Sequence, residues 1–148
     1  MDIILIAAIT IDGYIARRSD EVIKWSKDLK LFKKQTMGYP VIMGSNTEKT
    51  LAVELDGREK IIVHRNDKPE KILGELNTEK CFLIGGGMTY AKFAPFLTHM
   101  YITPHPIVLG KGIQLFSNLI EELPLKFLRK ITVNKTDGIF QFQYKVIR

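Results

Sequence analysis

The sequence has few of the features that mark secreted, membrane or disulfide-stabilised proteins. Cys81 is the only cysteine among 148 residues, so no intrachain disulfide can form. No apolar run approaches the roughly 20 residues that a membrane-spanning helix requires. The apolar N-terminal run follows Asp2, where a signal peptide would carry basic residues. We therefore expect a soluble, cytoplasmic protein with no membrane partner.

Several kinds of catalytic constellation are also missing. The three histidines, His64, His99 and His105, have no metal-ligand spacing with one another or with Cys81, so no metal site is predicted. There is no nucleophile elbow, and Asp12 has no obvious partner carboxylate for hydrolase chemistry. These absences favour an enzyme whose cofactor carries out the chemical step while the protein orients and polarises the substrate.

The excess of positive charge is spread along the sequence. Lys and Arg total 22 against 16 Asp and Glu, a net charge of +6. The densest basic cluster, over residues 24–34, includes Asp28 and is typical of a solvated helix face. We expect no nucleic-acid partner, although this field would attract a small polyanion such as a dinucleotide phosphate. Without repeats or linkers, residues 1–148 are predicted to form one domain.

Short apolar runs alternate with segments of helical periodicity. The runs predict buried strands over residues 3–9, 41–43, 60–64, 81–84 and 100–103. The helical segments lie at about 27–36, after Asn46, at 69–76 and at 88–93, with Ser26 as the cap of the first. Alternating segments at 126–134 and 139–147, joined by Asp137-Gly138, predict a hairpin. The predicted fold class is α/β with three layers: a mostly parallel central sheet flanked by helices, with an antiparallel C-terminal hairpin.

A glycine triplet is a candidate phosphate site. In open α/β sheets, ligands bind at the carboxyl ends of the strands. Gly85-Gly86-Gly87 follows a predicted strand and opens a helix, where exposed backbone N–H groups can bind an anion. Tyr90 stands where a strict dinucleotide fingerprint requires another glycine. The triplet is therefore either a phosphate cradle or a tight strand-to-helix turn.

Three charged residues have both a binding and a structural interpretation. Asp28, in the first turn of the predicted helix, could accept two parallel hydrogen bonds from a guanidine-like ligand edge. It could also simply favour the helix start. Arg65, which follows His64 at a strand end, could bind a phosphate or be an exposed surface arginine. Arg58 has the same two interpretations.

Taken in order, five blocks of the chain resemble the dihydrofolate reductase family. One of them contains Pro40-Val41-Ile42-Met43-Gly44 and another contains Ile84-Gly85-Gly86-Gly87. The blocks lie at residues 4–16, 25–47, 57–58, 84–90 and 101–103. The similarity runs from about residue 2 to 104 and continues loosely through the terminal hairpin. It implies a dihydrofolate reductase-like fold and a reductase that transfers hydride from NADPH to a pterin.

The resemblance also implies roles for residues around the substrate. Asp28 would hold the amino and ring N–H edge of the pterin and promote protonation of the ring nitrogen. Thr103 would support that carboxylate by a hydrogen bond, and Trp25 would act beside it. Arg58 would bind the glutamate carboxylate of folate. The implied apolar walls of the substrate site are Ile6, Ala8, Phe32, Leu51 and Ile84.

For the cofactor, the resemblance implies that Arg65 binds the adenosine 2′-phosphate and that the Gly85–Gly86 peptide is cis. The implied NADPH-binding residues are Ala8, Ile15, Gly44, Ser45, Asn46, Thr47, His64, Arg65, Ile84, Gly85, Gly86, Gly87, Met88, Thr89 and Tyr90. Ser45 occupies a position where many members carry a basic residue that grips cofactor phosphate. Because Ser45 is not basic, the preference for NADPH over NADH is left open.

Two other functions remain open on sequence grounds. Residues 10–16, 44–47 and 108–116 look like the riboflavin-pathway reductases, which share the fold and reduce a ribosylaminopyrimidine phosphate. A non-catalytic pterin- or nucleotide-binding protein could use the same scaffold. Asp28 in the pterin position favours dihydrofolate reductase. The apolar segment 108–116 also suggests a homodimer.

Overall fold

The computed structural model of the protein describes residues 1–51, 54–119 and 121–148. Nine strands and four α-helices occur in these ranges. The strands are β1 (Asp2–Thr10), β2 (Tyr14–Ala16), β3 (Val41–Gly44), β4 (Lys60–Val63), β5 (Lys80–Gly85), β6 (His99–His105), β7 (Ile113–Gln114), β8 (Leu125–Asn134) and β9 (Ile139–Val146). The helices are α1 (Leu29–Thr36), α2 (Ser45–Thr50), α3 (Pro69–Gly74) and α4 (Gly87–Phe93).

Seven strands form one sheet in the order β4-β3-β5-β1-β6-β9-β8. The first five are parallel to one another, and β9 runs antiparallel to both β6 and β8. β1 lies at the centre because its unbroken apolar run is suited to burial on both faces. The predicted α/β fold with an antiparallel C-terminal hairpin is confirmed.

The hydrophobic core has two parts, one on each face of the sheet. Successive strand residues point to opposite faces, so Ile4 and Leu5 belong to different clusters. The cluster that contains Leu5 includes Leu73 of α3 and Phe93 of α4. The cluster that contains Ile4 packs against Phe32 of α1. The three predicted layers are therefore present. No helix in the described ranges has the length and apolar character that crossing a bilayer requires.

The first helix begins later than predicted. It starts at Leu29 instead of residue 27, so Ser26 does not cap it. Asp28 occupies the N-cap position, but its side chain makes no capping hydrogen bond. A carboxylate at this position usually accepts a hydrogen bond from the first helical turn. The missing cap shows that the Asp28 side chain points away from its own helix.

A second, two-stranded sheet was not predicted. Residues Tyr14–Ala16 pair antiparallel with Ile113–Gln114. Strands of three and two residues are too short to show a periodicity in the sequence. Asp12 fixes the adjoining loop by accepting hydrogen bonds from the backbone N–H groups of Leu109, at 3.1 Å, and Gly110, at 2.8 Å.

The segment 108–116, which suggested a homodimer, is largely used within the chain. Leu115 and Phe116 pack against the core cluster of Leu5, and Ile113 pairs with β2. Val108 remains 72% exposed. Most of the apolar surface that motivated the dimer is therefore covered by the chain itself, and the homodimer stays a prediction.

A buried amide network joins α1 to the terminal hairpin. Gln35 and Gln141 exchange two side-chain hydrogen bonds of 2.7 and 2.9 Å. Gln143 Nε2 donates to Gln141 Oε1 at 2.9 Å, and Arg129 Nε donates to Gln143 Oε1 at 2.9 Å. Because Gln141 and Gln143 are buried, each of their polar atoms depends on these partners. The network fixes α1 on the sheet.

We expect Gln141→Ala to lower the free energy of unfolding by about 1–3 kcal/mol, since Gln35 and Gln143 would lose a buried partner. Urea denaturation measures this difference. The control is Gln114→Ala, an exposed glutamine whose removal should change stability by less than about 0.5 kcal/mol. Equal midpoints for the two variants would show that the network does not stabilise the fold.

Candidate active site

A cavity of about 770 Å³ opens at the carboxyl ends of the parallel strands. Its walls come from the ends of β1, β3, β4 and β5 and from the elements that follow them. Ligands of open α/β sheets bind at this edge because the loops leave the strands there in different directions. The cavity is therefore the candidate site for both substrate and cofactor.

Most of the predicted site residues line this cavity. They are Ile6, Ala8, Ile15, Asp28, Phe32, Gly44, Ser45, Asn46, Thr47, Leu51, His64, Arg65, Ile84, Gly85, Gly86, Gly87, Met88, Thr89 and Tyr90. Trp25, Arg58 and Thr103 are not among the lining residues. The structure thus gathers the predicted residues of four strands and three helices around one cavity.

The glycine triplet forms a cradle that side chains would fill. The peptide between Gly85 and Gly86 is cis, as the resemblance implied, and Gly85 has a φ of +129°. A Cβ atom on Gly85 would lie 3.1 Å from Thr47 Oγ1, and one on Gly44 would lie 2.9 Å from Thr89 Oγ1. Only glycine leaves the backbone at these positions open to a ligand.

Cationic side chains lie at the cavity wall next to the end of β4. Lys92 Nζ donates to the carbonyl oxygens of His64, at 3.2 Å, and Arg65, at 3.0 Å. His64, Arg65 and Lys92 all line the cavity, and the first two are exposed. Lys92 therefore fixes the backbone that presents Arg65, whose guanidinium suits a phosphate group.

Asp28 is the carboxylic acid buried in the cavity wall, with an exposed fraction of 6%. Burial raises its pKa above the usual value of 3.8, and the Thr103 hydroxyl opposes that rise. A carboxyl group with a raised pKa holds a proton more readily than an exposed carboxyl group, which suits a general acid. Asp28 is therefore the candidate acid of the site.

Thr103 and Trp25 lie close to Asp28 but off the cavity wall. Thr103 Oγ1 is buried and has no hydrogen bond of standard length in the described residues, although its hydroxyl lowers the pKa of Asp28. The Trp25 ring packs edge-on against His105 with centroids 5.3 Å apart. Its Nε1 is also buried and without a partner among the described residues. Thr103 therefore lies beside Asp28, and Trp25 packs on the neighbouring His105.

Arg58 does not reach the cavity. Its guanidinium is 9% exposed and donates to the carbonyl oxygens of Glu54, at 2.8 Å, and Asp56, at 3.3 Å. A third hydrogen bond, of 3.2 Å, goes to Thr36 Oγ1. These bonds direct the guanidinium donors towards the chain itself. The implied role of Arg58 as a substrate clamp stays a prediction.

Tyr90 connects the two core elements of the site. Its hydroxyl donates to the carbonyl oxygen of Ile6 at 2.8 Å, which joins α4 to β1. Burial raises the pKa of Tyr90, and the nearby Asp28 raises it further, so the phenol stays neutral. A permanently neutral donor holds the β1 backbone in place beside the cavity.

Some cavity residues were missed by the sequence analysis. Ile113 belongs to the segment 108–116, which suggested a dimer surface and a resemblance to the riboflavin-pathway reductases, and Ser117 and Asn118 follow that segment. Leu29 lies next to Phe32 on the same helix face, a spacing that could have identified it. His105 was dismissed because it lacks metal-ligand spacing, and no pattern linked it to Asp28.

Comparisons with known proteins agree on one family. The family model described as dihydrofolate reductase matches residues 2–106. Dihydrofolate reductase type 3 of Salmonella typhimurium is 32% identical over 117 residues, which covers 70% of this chain and 71% of that enzyme.

Two solved structures share the fold. Dihydrofolate reductase from Enterococcus faecalis, solved in complex with NADP(H) and RAB-propyl, has a TM-score of 0.78 and 17% identity, over 99% of this chain and 97% of that one. A Shewanella sp. PV-4 protein assigned to riboflavin biosynthesis has a TM-score of 0.69 and 20% identity, over 100% of both chains.

Proposed function

The chain belongs to the dihydrofolate reductase family, and we propose that it is an NADPH-dependent reductase that converts 7,8-dihydrofolate to tetrahydrofolate. The observation that carries the proposal is the buried Asp28 carboxyl in the wall of a cavity that also contains the glycine cradle. A protein that only bound dinucleotides would not need a buried acid there. Burying a carboxyl group is unfavourable unless it is paired or hydrogen-bonded, so a buried acid at a cavity wall points to a functional role.

Asp28 has two tasks in this proposal. Reduction of the pterin C=N bond adds a hydride to the carbon and a proton to the neighbouring nitrogen. The ionised carboxylate accepts two parallel hydrogen bonds from the amino and ring N–H groups of the pterin, which fixes its orientation. The raised pKa also favours uptake of a proton from solvent by this carboxylate, and release of that proton towards the ring nitrogen returns the carboxylate to its ionised state. Phe32 and Ile6 form apolar walls beside it.

The residues on the other side of the cavity fit NADPH, which supplies the hydride when bound. The open backbone of Gly85 to Gly87 and the Thr47 hydroxyl beside it suit a diphosphate. Ala8 and Ile15 provide small and apolar surface for the nicotinamide. Arg65, presented by Lys92, suits the 2′-phosphate that distinguishes NADPH from NADH.

Cofactor preference tests the role of Arg65. We expect Arg65→Ala to raise the KM for NADPH about 10- to 100-fold, the effect of losing one charge-assisted hydrogen-bonding group. The KM for NADH should change less than threefold. Lys71→Ala removes the same charge from an exposed residue that does not line the cavity, so it should leave both constants unchanged. Equal losses with both cofactors would place the 2′-phosphate elsewhere.

A second candidate function is reduction of a ribosylaminopyrimidine phosphate, as in riboflavin synthesis. It is favoured by the late segment, because Ile113, Ser117 and Asn118 line the cavity. This segment overlaps the part of the sequence that resembles the riboflavin-pathway reductases. The pyrimidine also offers an amino and ring N–H edge, so Asp28 alone does not separate the two substrates.

The deciding experiment measures NADPH oxidation by purified protein with each substrate separately. Turnover with dihydrofolate supports the proposal. Turnover with the ribosylaminopyrimidine phosphate alone would assign the chain to the second function. Binding of NADPH and pterin with no turnover of either substrate would indicate a non-catalytic binding protein. Isothermal titration with NADPH distinguishes that outcome from an inactive preparation.

A further inference from the structure

His105 lies at the end of β6 and is 1% exposed. Its Nε2 atom lies 2.9 Å from the backbone nitrogen of Lys27, and its Nδ1 atom lies 2.8 Å from the carbonyl oxygen of Thr103. The Lys27 N–H can only donate and the Thr103 carbonyl can only accept. The ring therefore carries its proton on Nδ1 and accepts through Nε2. Both nitrogens are satisfied in one tautomer.

Through these two hydrogen bonds the imidazole ring connects β6 to the segment that precedes Asp28. The acceptor bond spans 78 positions, from β6 to the residue that directly precedes Asp28. Thr103, which holds the other side of the ring, also acts on the Asp28 carboxyl through its hydroxyl. His105 is thus bonded to the residue before Asp28 and to the residue whose hydroxyl faces it.

In the described residues, the Asp28 segment has one other backbone anchor, the 2.9 Å hydrogen bond from the Phe32 N–H to the Asp28 carbonyl oxygen. Asp28 makes no side-chain capping bond to α1, which is the usual anchor of an acid at this position. The Lys27 side chain is exposed. Trp25 packs its ring edge-on against His105, so the same imidazole supports the segment on both sides of residue 26. Removal of the imidazole would take away the acceptor of the Lys27 N–H and the packing partner of Trp25, so the backbone next to Asp28 would be held less firmly.

We propose that His105 is a positioning residue, which holds the Asp28 carboxylate in the cavity by accepting the Lys27 backbone N–H. This inference rests on the proposed function only in that Asp28 is taken as the catalytic acid. A small displacement of a catalytic group lowers turnover strongly, because the reacting atoms must lie at hydrogen-bonding distance. His105 itself does not line the cavity, so its effect must pass through the Asp28 segment.

Two substitutions at position 105 test the two hydrogen bonds of the ring separately. Gln at position 105 can place an amide oxygen near the position of Nε2 and accept from Lys27. Asn is shorter and can replace only Nδ1, the donor to Thr103. We expect His105→Asn to lower kcat for the preferred substrate at least tenfold and to expose the Lys27 amide to hydrogen exchange. His105→Gln should retain most of kcat and keep that amide protected, and neither variant should change the KM for NADPH more than twofold.

Equal kcat values for both variants and the wild type, or equal losses in both, would overturn the proposal. Should His105→Asn fail to fold, nitrogen NMR of the wild-type ring decides, since the proposal requires a protonated Nδ1 and an unprotonated Nε2 bonded to the Lys27 amide. The reverse tautomer would refute it. Neither exchange nor NMR requires turnover, so failure of the proposed function would leave this test intact.

Discussion

Replacement of Asp28 by Asn should lower kcat for dihydrofolate about 10²- to 10⁴-fold, the usual contribution of a general acid. The amide keeps the size of the side chain but cannot take up and release a proton. It also presents an N–H group to one of the pterin donors, so pterin binding should weaken. NADPH binding should be unchanged, because the glycine cradle and Arg65 lie on other elements.

Steady-state kinetics and NADPH titration measure these two effects separately. The control is Asp20→Asn, which removes the same charge from an acid whose side chain is 80% exposed. It should retain full activity. An Asp28→Asn enzyme with a kcat within twofold of the wild type would contradict the proposed mechanism.

The same substitution should raise stability at neutral pH. The pKa of Asp28 is raised in the folded protein, so the folded state binds the proton more tightly than the unfolded state. The stability that this difference contributes is fully present below the unfolded pKa and is lost as pH rises through the folded pKa. Asn has no such loss. The stability gained by Asp28→Asn should therefore grow from pH 3 to pH 7, as urea denaturation at each pH would show.

The second large effect is expected for Gly87→Ala. A Cβ atom on Gly87 would lie 2.6 Å from the backbone oxygen of Gln114 and 2.7 Å from Ser117 Oγ. The backbone oxygen cannot turn away, so either the glycine cradle or the late segment must shift. Overpacking of this kind costs about 1–3 kcal/mol. Because both displaced parts line the cavity, NADPH binding should weaken as well.

Gly74→Ala is the matched control for this variant. Nothing lies within 4 Å of a Cβ atom on Gly74, at the end of α3, and its φ is not positive. We expect its melting temperature to equal or slightly exceed that of the wild type. Thermal melts with and without NADPH give stability and cofactor binding in one measurement. A Gly87→Ala melt that matched the control in both conditions would contradict the predicted clash.

Much of the fold follows from local patterns. The apolar run of β1 can satisfy its backbone and bury every side chain only as an interior strand, and the alternation around Asp137-Gly138 permits only a hairpin. The start of α1 was wrong because Asp28 looks like a first-turn acid. Its side chain lines the cavity and does not cap the helix, and its position depends on a contact with β6, more than 70 residues away.

The parts of the site that could be predicted are those whose backbone geometry comes from a single segment of the chain. The glycine triplet carries its own backbone conformation, so its cis peptide and its place in the cavity followed from the resemblance. The hydrogen bonds of Arg58 could not be predicted, because an arginine's partners depend on how the chain around it folds. His105 was missed for a similar reason, since its partners belong to other segments and its spacing suggests nothing.

The position of β1 in the sheet has a consequence for synthesis on the ribosome. β1 is the first strand made, and it pairs with β5, beginning at Lys80, and with β6, ending at His105. Until those residues emerge, both edges of β1 have no native partner. Long-range parallel pairing of this kind forms slowly, and an apolar strand that waits for it is prone to aggregation. We therefore expect a nascent chain that stops before β6 to aggregate more readily than the complete chain.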